Sequence, residues 1–273
     1  MAKATLFQKD IPEDERAFYY ASEEDDPIKT DEQEKKVEVG LPEGYQFIPR
    51  NIFVRMYSSV LFRIFWVFGQ WYERGYWKAK FYGKDKLKQA RGQGFVLYAN
   101  HTNPFHDVFG PAIAVDRRIF TIISPVNLKI PGIGKVLPYI GGMPLGKTAE
   151  EKRAFNEAVD KRLKQKKCMV IYPEAHVWPY YTGVRKFPAG DRSFKYAVRN
   201  ELPVYTMTTT YHRRKRGKRD LPRMDIYVDG PFYPEEGLDE DAKRADLAKK
   251  AYESMVKWSK KNSYEYFKYK KKK

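Results

Sequence analysis

A histidine and an acid follow a short strand-like segment, and these residue types at this spacing point most directly to chemistry. Residues 95–107 read FVLYANHTNPFHD, so β-forming residues after Gly94 run into Asn100 and His101. Asp107 follows six positions after the histidine. A neutral imidazole can take a proton from an attacking hydroxyl, and a nearby carboxylate fixes its tautomer and stabilises the imidazolium. The pattern predicts a His101 base supported by Asp107.

Two other interpretations of the same segment stay open. His101 can cap a helix, with Asp107 as a first-turn acid favoured by the helix dipole. His106 can instead be the partner of His101. A second strand-like segment, CMVIYPE over residues 168–174, ends in Glu174. Because the carboxyl ends of parallel strands share one sheet edge, where ligands bind, these polar groups are expected to gather there.

These segments resemble the glycerolipid acyltransferase family, whose bacterial type member is 1-acylglycerol-3-phosphate acyltransferase. The family pattern contains Asn-His-(four residues)-Asp and Pro-Glu-Gly-Thr-Arg. Its four blocks recur here in order: Asn100, His101 and Asp107; residues 140–146 (IGGMPLG); Tyr172, Pro173 and Glu174; and residues 202–204 with the apolar stretch that follows. The blocks span roughly residues 100–211, and we expect the resemblance to extend over everything after residue 48.

The first block departs from the family spacing. The family places its Asp five positions after His, where His106 stands here, and Asp107 comes one residue later. We expect a one-residue loop insertion, in which Pro104 rigidifies the turn and Asp107 still reaches His101.

The phosphate-binding residues of the family are also changed. Gly146 and Lys147 stand where the second block normally ends in Arg, and Lys supplies charge without the bidentate fork. Residues 175–177 (AHV) replace Gly-Thr-Arg, and the next arginine is Arg185. The resemblance therefore implies that Lys147 and Arg185 bind the substrate phosphate; the alternative is that both are solvated surface charges.

The resemblance implies direct acyl transfer without a covalent acyl-enzyme. His101 removes a proton from the hydroxyl of a lysophospholipid such as 1-acylglycerol-3-phosphate, which attacks the thioester of acyl-CoA or acyl-carrier protein. Asn100, His106 and Glu174 are predicted to support the site, with Glu174 orienting the acceptor or organising the site. The sole cysteine, Cys168, lies in an apolar run and is predicted to be core. No cofactor and no metal is expected, since the acyl thioester is a substrate.

Composition limits the class of protein. With 273 residues, 42% of them hydrophobic, the chain can bury one substantial α/β domain. A single cysteine excludes an intramolecular disulfide and fits a reducing compartment. The first residues lack a basic region followed by an apolar one, so no secretory signal is expected. The sequence has no P-loop, dinucleotide fingerprint, zinc-spaced His/Cys cluster or Gly-x-Ser-x-Gly elbow.

The charge of the chain is unevenly placed. Residues 1–44 contain 13 Asp and Glu against 6 Lys and Arg, which leaves a net charge of +24 on the rest of the chain. Such a charge implies an anionic partner: a membrane, a phosphorylated substrate or a nucleic acid. Residues 212–219 (HRRKRGKR) and the tail after Asn262 are basic clusters suited to anionic lipid.

An apolar, amphipathic helix is predicted within residues 52–81. Arg55 and Arg63 interrupt its apolar run, which argues against insertion across a bilayer. Its broad apolar face is predicted to contain Phe53, Met56, Tyr57, Val60, Leu61, Ile64, Phe65, Phe68 and Trp71. A soluble protein would pack this face on its own domain. The resemblance favours docking into an anionic membrane interface, and the predicted membrane residues are Arg55, Arg63, Phe65, Trp66 and Trp71.

The element order predicts an α/β fold with a largely parallel sheet and helices on both faces, preceded by an N-terminal amphipathic helical membrane-docking region. Strands are expected near residues 95–99, 119–123, 168–172, 203–211 and 224–229, and helices near 105–115, 148–166, 192–199 and 239–261. The predicted regions are a mobile acidic arm (1–48), an interfacial helical region (49–82), the α/β acyltransferase domain (83–262) and a basic tail (263–273).

The sequence is consistent with two functions. The first is a peripheral or monotopic membrane O-acyltransferase on the cytoplasmic side of the cell membrane. The second is a non-catalytic protein that binds anionic lipid or nucleic acid on a degenerate acyltransferase fold. No nucleic-acid-binding motif is found, so no nucleic-acid partner is expected.

Overall fold

A seven-stranded mixed sheet forms the centre of the protein in the computed structural model, which describes residues 11–27, 40–215 and 220–272. The strands of the described residues are β1 (Ala17–Tyr20), β2 (Lys80–Tyr82), β3 (Phe95–Ala99), β4 (Ile119–Ile123), β5 (Gly142–Pro144), β6 (Cys168–Ile171), β7 (Val204–His212), β8 (Arg223–Phe232) and β9 (Lys268–Lys271). The sheet order is β2-β8-β7-β3-β6-β4-β5. Every neighbouring pair is parallel except β7 and β8, which confirms the largely parallel sheet predicted from the sequence.

Helices cover both faces of this sheet, as predicted. They are α1 (Ile52–Trp71), α2 (His106–Val115), α3 (Leu137–Ile140), α4 (Ala149–Lys164), α5 (Lys195–Arg199) and α6 (Glu240–Ser259). The start of α4 is fixed by a capping box, in which the Thr148 hydroxyl accepts from the backbone N–H of Glu151 and the Glu151 carboxylate accepts from that of Thr148. The side chain of Asp239 caps α6 by accepting from the N–H of Ala242.

The central strand β3 divides the core into two layers. Phe95, Leu97 and Ala99 point into a cluster shared with α1 and α2, while Val96 and Tyr98 point into a cluster shared with α4 and α6. All five side chains are buried, as expected for a parallel strand covered on both faces. This burial fixes the carboxyl end of β3, which the predicted base His101 closely follows in the sequence.

The helix α1 packs on the body along one narrow face. Ser58, Phe62 and Gly69 are its buried residues, and a Cβ atom on Gly69 would lie only 2.9 Å from the ring of Phe109 on α2. The glycine therefore allows the two helices to approach closely. A π-helical turn, Tyr72–Tyr76, continues α1, and the helix from Ile52 to Tyr76 is long and apolar enough to cross a membrane by length and composition.

The outward face of α1 is apolar. Its exposed apolar side chains are Ile52, Phe53, Met56, Tyr57, Val60, Ile64, Val67, Phe68 and Trp71. Arg55 and Arg63 are also exposed. The prediction differs at Phe65, which stacks on Phe109 with 4.5 Å between ring centroids, and at Trp66, which is partly buried against the same core. These two rings face the protein because α2 and the adjoining core pack against this side of α1.

The described part of the predicted mobile arm is packed on the domain, which differs from the prediction. Strand β1 pairs in parallel with β9, so the predicted basic tail is a strand here. Ile11 is buried, and Arg16 forms an ion pair with Asp220 at 2.5 Å. Aromatic residues between the lysines of the tail, such as Tyr266 and Phe267, are buried and provide the apolar contact. Residues 1–10, 28–39, 216–219 and 273 lie outside the described residues.

Candidate active site

His101 lies just beyond the carboxyl end of β3, with its ring held on two sides. Its Nδ1 atom is 2.6 Å from Oδ2 of Asp107, and its ring stacks on Tyr172 with 4.5 Å between centroids. The side chain is 19% exposed. Because Asp107 accepts a hydrogen bond from Nδ1, the tautomer is set so that Nε2 is the nitrogen left to take a proton.

The loop between β3 and α2 brings Asp107 to His101. The Asn103 side chain accepts from the backbone N–H groups of Phe105 and His106, at 3.2 and 3.0 Å, and so holds the turn that leads into α2. Asp107 Oδ2 also accepts from the Asn103 N–H at 3.2 Å. Asp107, not His106, therefore contacts His101, as the predicted one-residue insertion requires.

His106 points in another direction and is fully buried. Its Nδ1 lies 2.8 Å from Oε2 of Glu73, and its Nε2 lies 2.8 Å from Oγ1 of Thr209. Adjacent residues of a helix point about 100° apart, so His106 and Asp107 cannot both face His101. Both ring nitrogens of His106 are engaged, which argues against the alternative that it partners the base.

The His106–Glu73 pair is held without contact with solvent. Burial lowers the pKa of His106, but the Glu73 carboxylate offsets this and raises the pKa above its usual value. Burial also raises the pKa of Glu73, even though His106 acts in the opposite direction. The two side chains therefore form a coupled pair in a site without solvent.

Asn100 links the end of β3 to the neighbouring strand β7 beneath the site. Its side-chain amide donates to the carbonyl of Thr209 at 3.0 Å, and its Oδ1 accepts from the Thr209 N–H at 2.8 Å. These two bonds replace ladder bonds where β3 leaves the sheet. Asn100 therefore fixes the position from which the His101 loop departs, in agreement with a supporting role.

Glu174 holds the backbone of the base from the other side. Its carboxylate accepts from the N–H of His101 and from the N–H of Arg185, each at 2.8 Å. Burial raises the pKa of Glu174, although its backbone donors and the Arg185 charge act against that change. Of the two roles predicted for Glu174, this geometry agrees with organising the site.

Arg185 is placed differently from the prediction. It is only 2% exposed, and its guanidinium donates to the carbonyls of Glu174, His176 and Glu23 while lying over the Trp178 ring at 4.8 Å. With most of its donors used inside the protein, Arg185 has no open side toward a substrate phosphate. A sequence pattern cannot distinguish such a buried arginine from an exposed one.

Lys147 is exposed where β5 leads into α4. Three strand spacings, about 14 Å, separate β5 from β3. The role predicted for Lys147 in binding the substrate phosphate stays a prediction.

Sequence reasoning missed several residues around the base. Tyr172 stacks on His101 and donates its hydroxyl to the carbonyl of Asp107 at 2.5 Å, although the sequence marks it only as part of a motif. Glu73 lies far away in the sequence, and no local pattern connects it with His106.

Cys168 is buried, and burial raises the pKa of its thiol, as expected for a core residue. The described residues contain no cluster of three or more His, Cys, Asp or Glu that could hold a metal ion.

Comparisons with known proteins connect this geometry to a family. A family model described as acyltransferase matches residues 78–210, which include His101, Asp107 and Glu174. The crystal structure of the 1-acyl-sn-glycerophosphate (LPA) acyltransferase PlsC from Thermotoga maritima is similar in fold, with a TM-score of 0.54 and 18% identity. That match covers 80% of this chain and 87% of the other. No curated protein matches the chain in sequence.

The family match and the shared fold confirm the resemblance predicted from the four sequence blocks. The matched segment begins before β2 and ends within β7, so it contains the base, its acid and the strands that carry them. Residues 78–210 therefore match the acyltransferase family model, and the chain shares a mixed α/β fold with PlsC.

Proposed function

We propose that this protein transfers a fatty acyl group from an acyl thioester to the hydroxyl of a lysophospholipid such as 1-acylglycerol-3-phosphate. The observation that carries the proposal is the 2.6 Å contact between His101 Nδ1 and Asp107 Oδ2 in an acyltransferase-family domain. The contact orients the imidazole and stabilises its charged form, which a general base requires.

The proposed reaction is a single displacement at the thioester carbonyl. His101 Nε2 takes the proton of the acceptor hydroxyl while the hydroxyl oxygen attacks the carbonyl carbon. The tetrahedral intermediate breaks its C–S bond, and the leaving thiolate receives the proton from the imidazolium. Asp107 stays ionised and stabilises the imidazolium between the two proton transfers. The donor is acyl-CoA or acyl-carrier protein, and no cofactor takes part.

The buried groups below the base keep its backbone in place. Glu174 accepts the His101 N–H, the Trp178 N–H donates to the His101 carbonyl at 3.0 Å, and Asn100 fixes the end of β3. The peptide units on both sides of His101 are thus tied to the domain. Such support limits the motion of the base, and misplacement of about 1 Å can lower a rate by about a hundredfold.

We propose that α1 docks the enzyme on an anionic membrane as a peripheral or monotopic protein. The face of α1 presents Phe53, Val60, Ile64 and Trp71 to solvent. A contiguous apolar face exposed to solvent is typical of an interaction surface. Arg55 and Arg63 flank the face and suit anionic head groups. Docking would bring the acceptor to an enzyme whose base lies near the Trp71 end of the same helix. The proposed side of the cell membrane is the cytoplasmic one.

The proposal is tested by transfer of a labelled acyl chain in mixed micelles. Acyl-CoA and acyl-carrier-protein donors are combined with 1-acylglycerol-3-phosphate, other lysophospholipids and glycerol phosphate. We expect a labelled product that His101→Ala abolishes and that the control His176→Ala retains, because His176 contacts Asp26 at 3.3 Å and not the base. No product with any donor and acceptor, together with intact vesicle binding, would favour a lipid-binding protein on a degenerate fold.

A further inference from the structure

Two arginine side chains share one aromatic ring at the amino edge of the sheet. Arg118 directly precedes β4, and Arg162 lies in the last turn of α4. Their guanidinium carbons are 5.4 and 4.2 Å from the centroid of the Phe120 ring. An aromatic face attracts a single cation, but two cations on one ring repel each other unless an anion joins them. This edge is opposite to the one that carries His101.

The hydrogen bonds of these two arginines are incomplete. Arg118 donates to the hydroxyl of Ser58 and to the carbonyl of Tyr139, which anchors it against α1 and α3. Arg162 reaches Gln165 Oε1 only at 3.5 Å, the outer limit of a hydrogen bond. The Nε atoms of Arg118 and Arg162 are both buried and lack a hydrogen-bond partner. Buried donors without an acceptor are costly, so a bound oxyanion would stabilise this arrangement.

Further positive charge surrounds the pair. Burial lowers the pKa of Arg162 to about 10, with contributions from the charges of Arg118 and of Arg55 on α1. Burial and neighbouring arginines also lower the pKa of Lys167, which directly precedes β6. In the part of the chain that the structure describes, these four side chains form no ion pair with a carboxylate.

We propose that this arginine cluster, defined by Arg55, Arg118, Arg162 and Lys167, binds a phosphate group, and that a phospholipid head group is its source. Guanidinium groups bind phosphate oxygens in a bidentate manner, which fits the two arginines held on Phe120. Arg55 lies on α1 among exposed apolar residues, so a head group at the cluster would leave its acyl chains along α1. The source of the phosphate rests on the proposed membrane docking of α1, whereas the phosphate site itself does not.

The first test measures inorganic phosphate binding by the full chain, using isothermal calorimetry and the thermal midpoint of unfolding. We expect phosphate to bind and to raise the midpoint of the wild type. Arg162→Gln should lose both effects, and Arg162→Lys should retain part of the binding because it keeps the charge without the fork. The matched control is Arg153→Gln, an exposed arginine on the same helix. Equal phosphate binding by the wild type, Arg162→Gln and Arg153→Gln would overturn the site.

The second test identifies the source of the phosphate with vesicles of phosphatidylcholine, with and without phosphatidylglycerol. Arg162→Gln is expected to weaken binding to the phosphatidylglycerol vesicles about fivefold more than Arg153→Gln does. Equal weakening by the two variants would overturn the lipid source, and phosphate binding in the first test would then assign the site to a soluble phosphate. Neither test contains acyl substrates, so a failure of acyl transfer is distinguishable from a failure of this site.

Discussion

Two adjacent residues in the first turn of α2 serve different parts of the molecule. Asp107 contacts the ring of His101, while His106 is buried against Glu73 and Thr209. A Cβ atom at Gly110 would lie 2.4 Å from the His106 ring, so the glycine one turn later leaves the space that this ring fills. The roles of the two side chains can therefore be distinguished by experiment. Asp107 is tested through turnover, and His106 is tested through the stability of the fold.

Replacing the acid beside the base is expected to affect turnover and leave the fold intact. Asp107→Asn removes the charge that stabilises the His101 imidazolium and disturbs its tautomer, so kcat should fall by about 10² to 10⁴-fold. The measurement is steady-state acyl transfer, with thermal unfolding to confirm that the variant is folded. A loss smaller than about tenfold would show that His101 does not depend on this carboxylate.

Replacing the buried histidine is expected to affect stability first. His106→Gln leaves the Glu73 carboxylate buried without its partner, which should cost about 3–5 kcal/mol in the free energy of unfolding. Urea unfolding at neutral pH measures this change. The double variant Glu73→Gln/His106→Gln removes both charges and should recover part of the loss. A stable His106→Gln variant that loses turnover as strongly as Asp107→Asn would instead make His106 the partner of the base.

At the scale of elements, α1 joins the proposed membrane surface to the site. Its outward face carries the exposed apolar side chains. The π-helical turn that continues α1 places Glu73 in contact with His106. Ile64 lies on the outward face and is 61% exposed, so its substitution should leave the fold unaffected.

The proposed membrane docking of the outward face of α1 can be tested by placing a single charged side chain on it. Ile64→Glu should weaken binding to vesicles at least tenfold, because it replaces an apolar contact by a charge in the interface. The control Tyr233→Glu alters an exposed aromatic residue outside α1 and should bind as the wild type does. Vesicle co-sedimentation measures both variants. Equal binding by Ile64→Glu and the wild type would exclude this face as the docking surface.

The packing of α6 on β8 depends on one carboxylate. Burial raises the pKa of Asp229, but hydrogen bonds from Lys86, Trp258 and the N–H of Gly230 outweigh it and hold the pKa at about 2, below the ordinary 3.8. The unfolded chain therefore binds a proton at a higher pH than the folded one. The stabilisation by Asp229 is complete well above pH 3.8 and is lost as the pH falls toward 2.

Removing this carboxylate tests the pH dependence. Asp229→Asn should lower the free energy of unfolding by about 1–2 kcal/mol at pH 7, and the difference from the wild type should shrink to about half near pH 3. Urea unfolding at both pH values measures the change, with the exposed Glu253→Gln as the control on α6. A difference that stays constant between pH 7 and pH 3 would contradict the depressed pKa.

The sequence predicts the elements that carry strong local patterns. Strands β3 and β4 lie at their predicted bounds because continuous apolar runs stand between turn-forming residues, and α4 is predicted from its cap and spaced apolar residues. The short strands β2 and β5 are not predicted, since three residues carry too little periodicity. Their positions are set by pairing with β8 and β4, which no local pattern encodes.

At the site too, local sequence patterns predict contacts only between residues that are close in the sequence. The family resemblance with one inserted residue predicts the contact between His101 and Asp107, because the two residues are only six positions apart in the sequence. Contacts between distant segments are beyond local reasoning: Arg185 turns inward to carbonyls on Glu23 and His176, and Glu73 reaches His106 from the turn that continues α1.

At the scale of the whole molecule, the two edges of the sheet carry different chemistry. The carboxyl edge holds the base and its acid, while the amino edge holds the arginine cluster, and α1 extends between them with its apolar face outward. The net charge of +24 beyond residue 44 supports the proposed docking on an anionic surface. Membrane docking and catalysis are thus proposed for one rigid domain, with α1 as the shared element.

The central claim is acyl transfer to a hydroxyl acceptor by His101 without a covalent acyl-enzyme. The most direct measurement is thiol release from acyl-CoA by the purified protein in mixed micelles, with and without 1-acylglycerol-3-phosphate. We predict rapid release that requires the acceptor and is abolished by His101→Ala. Release at the same rate without acceptor, or release that His101→Ala retains, would contradict this claim.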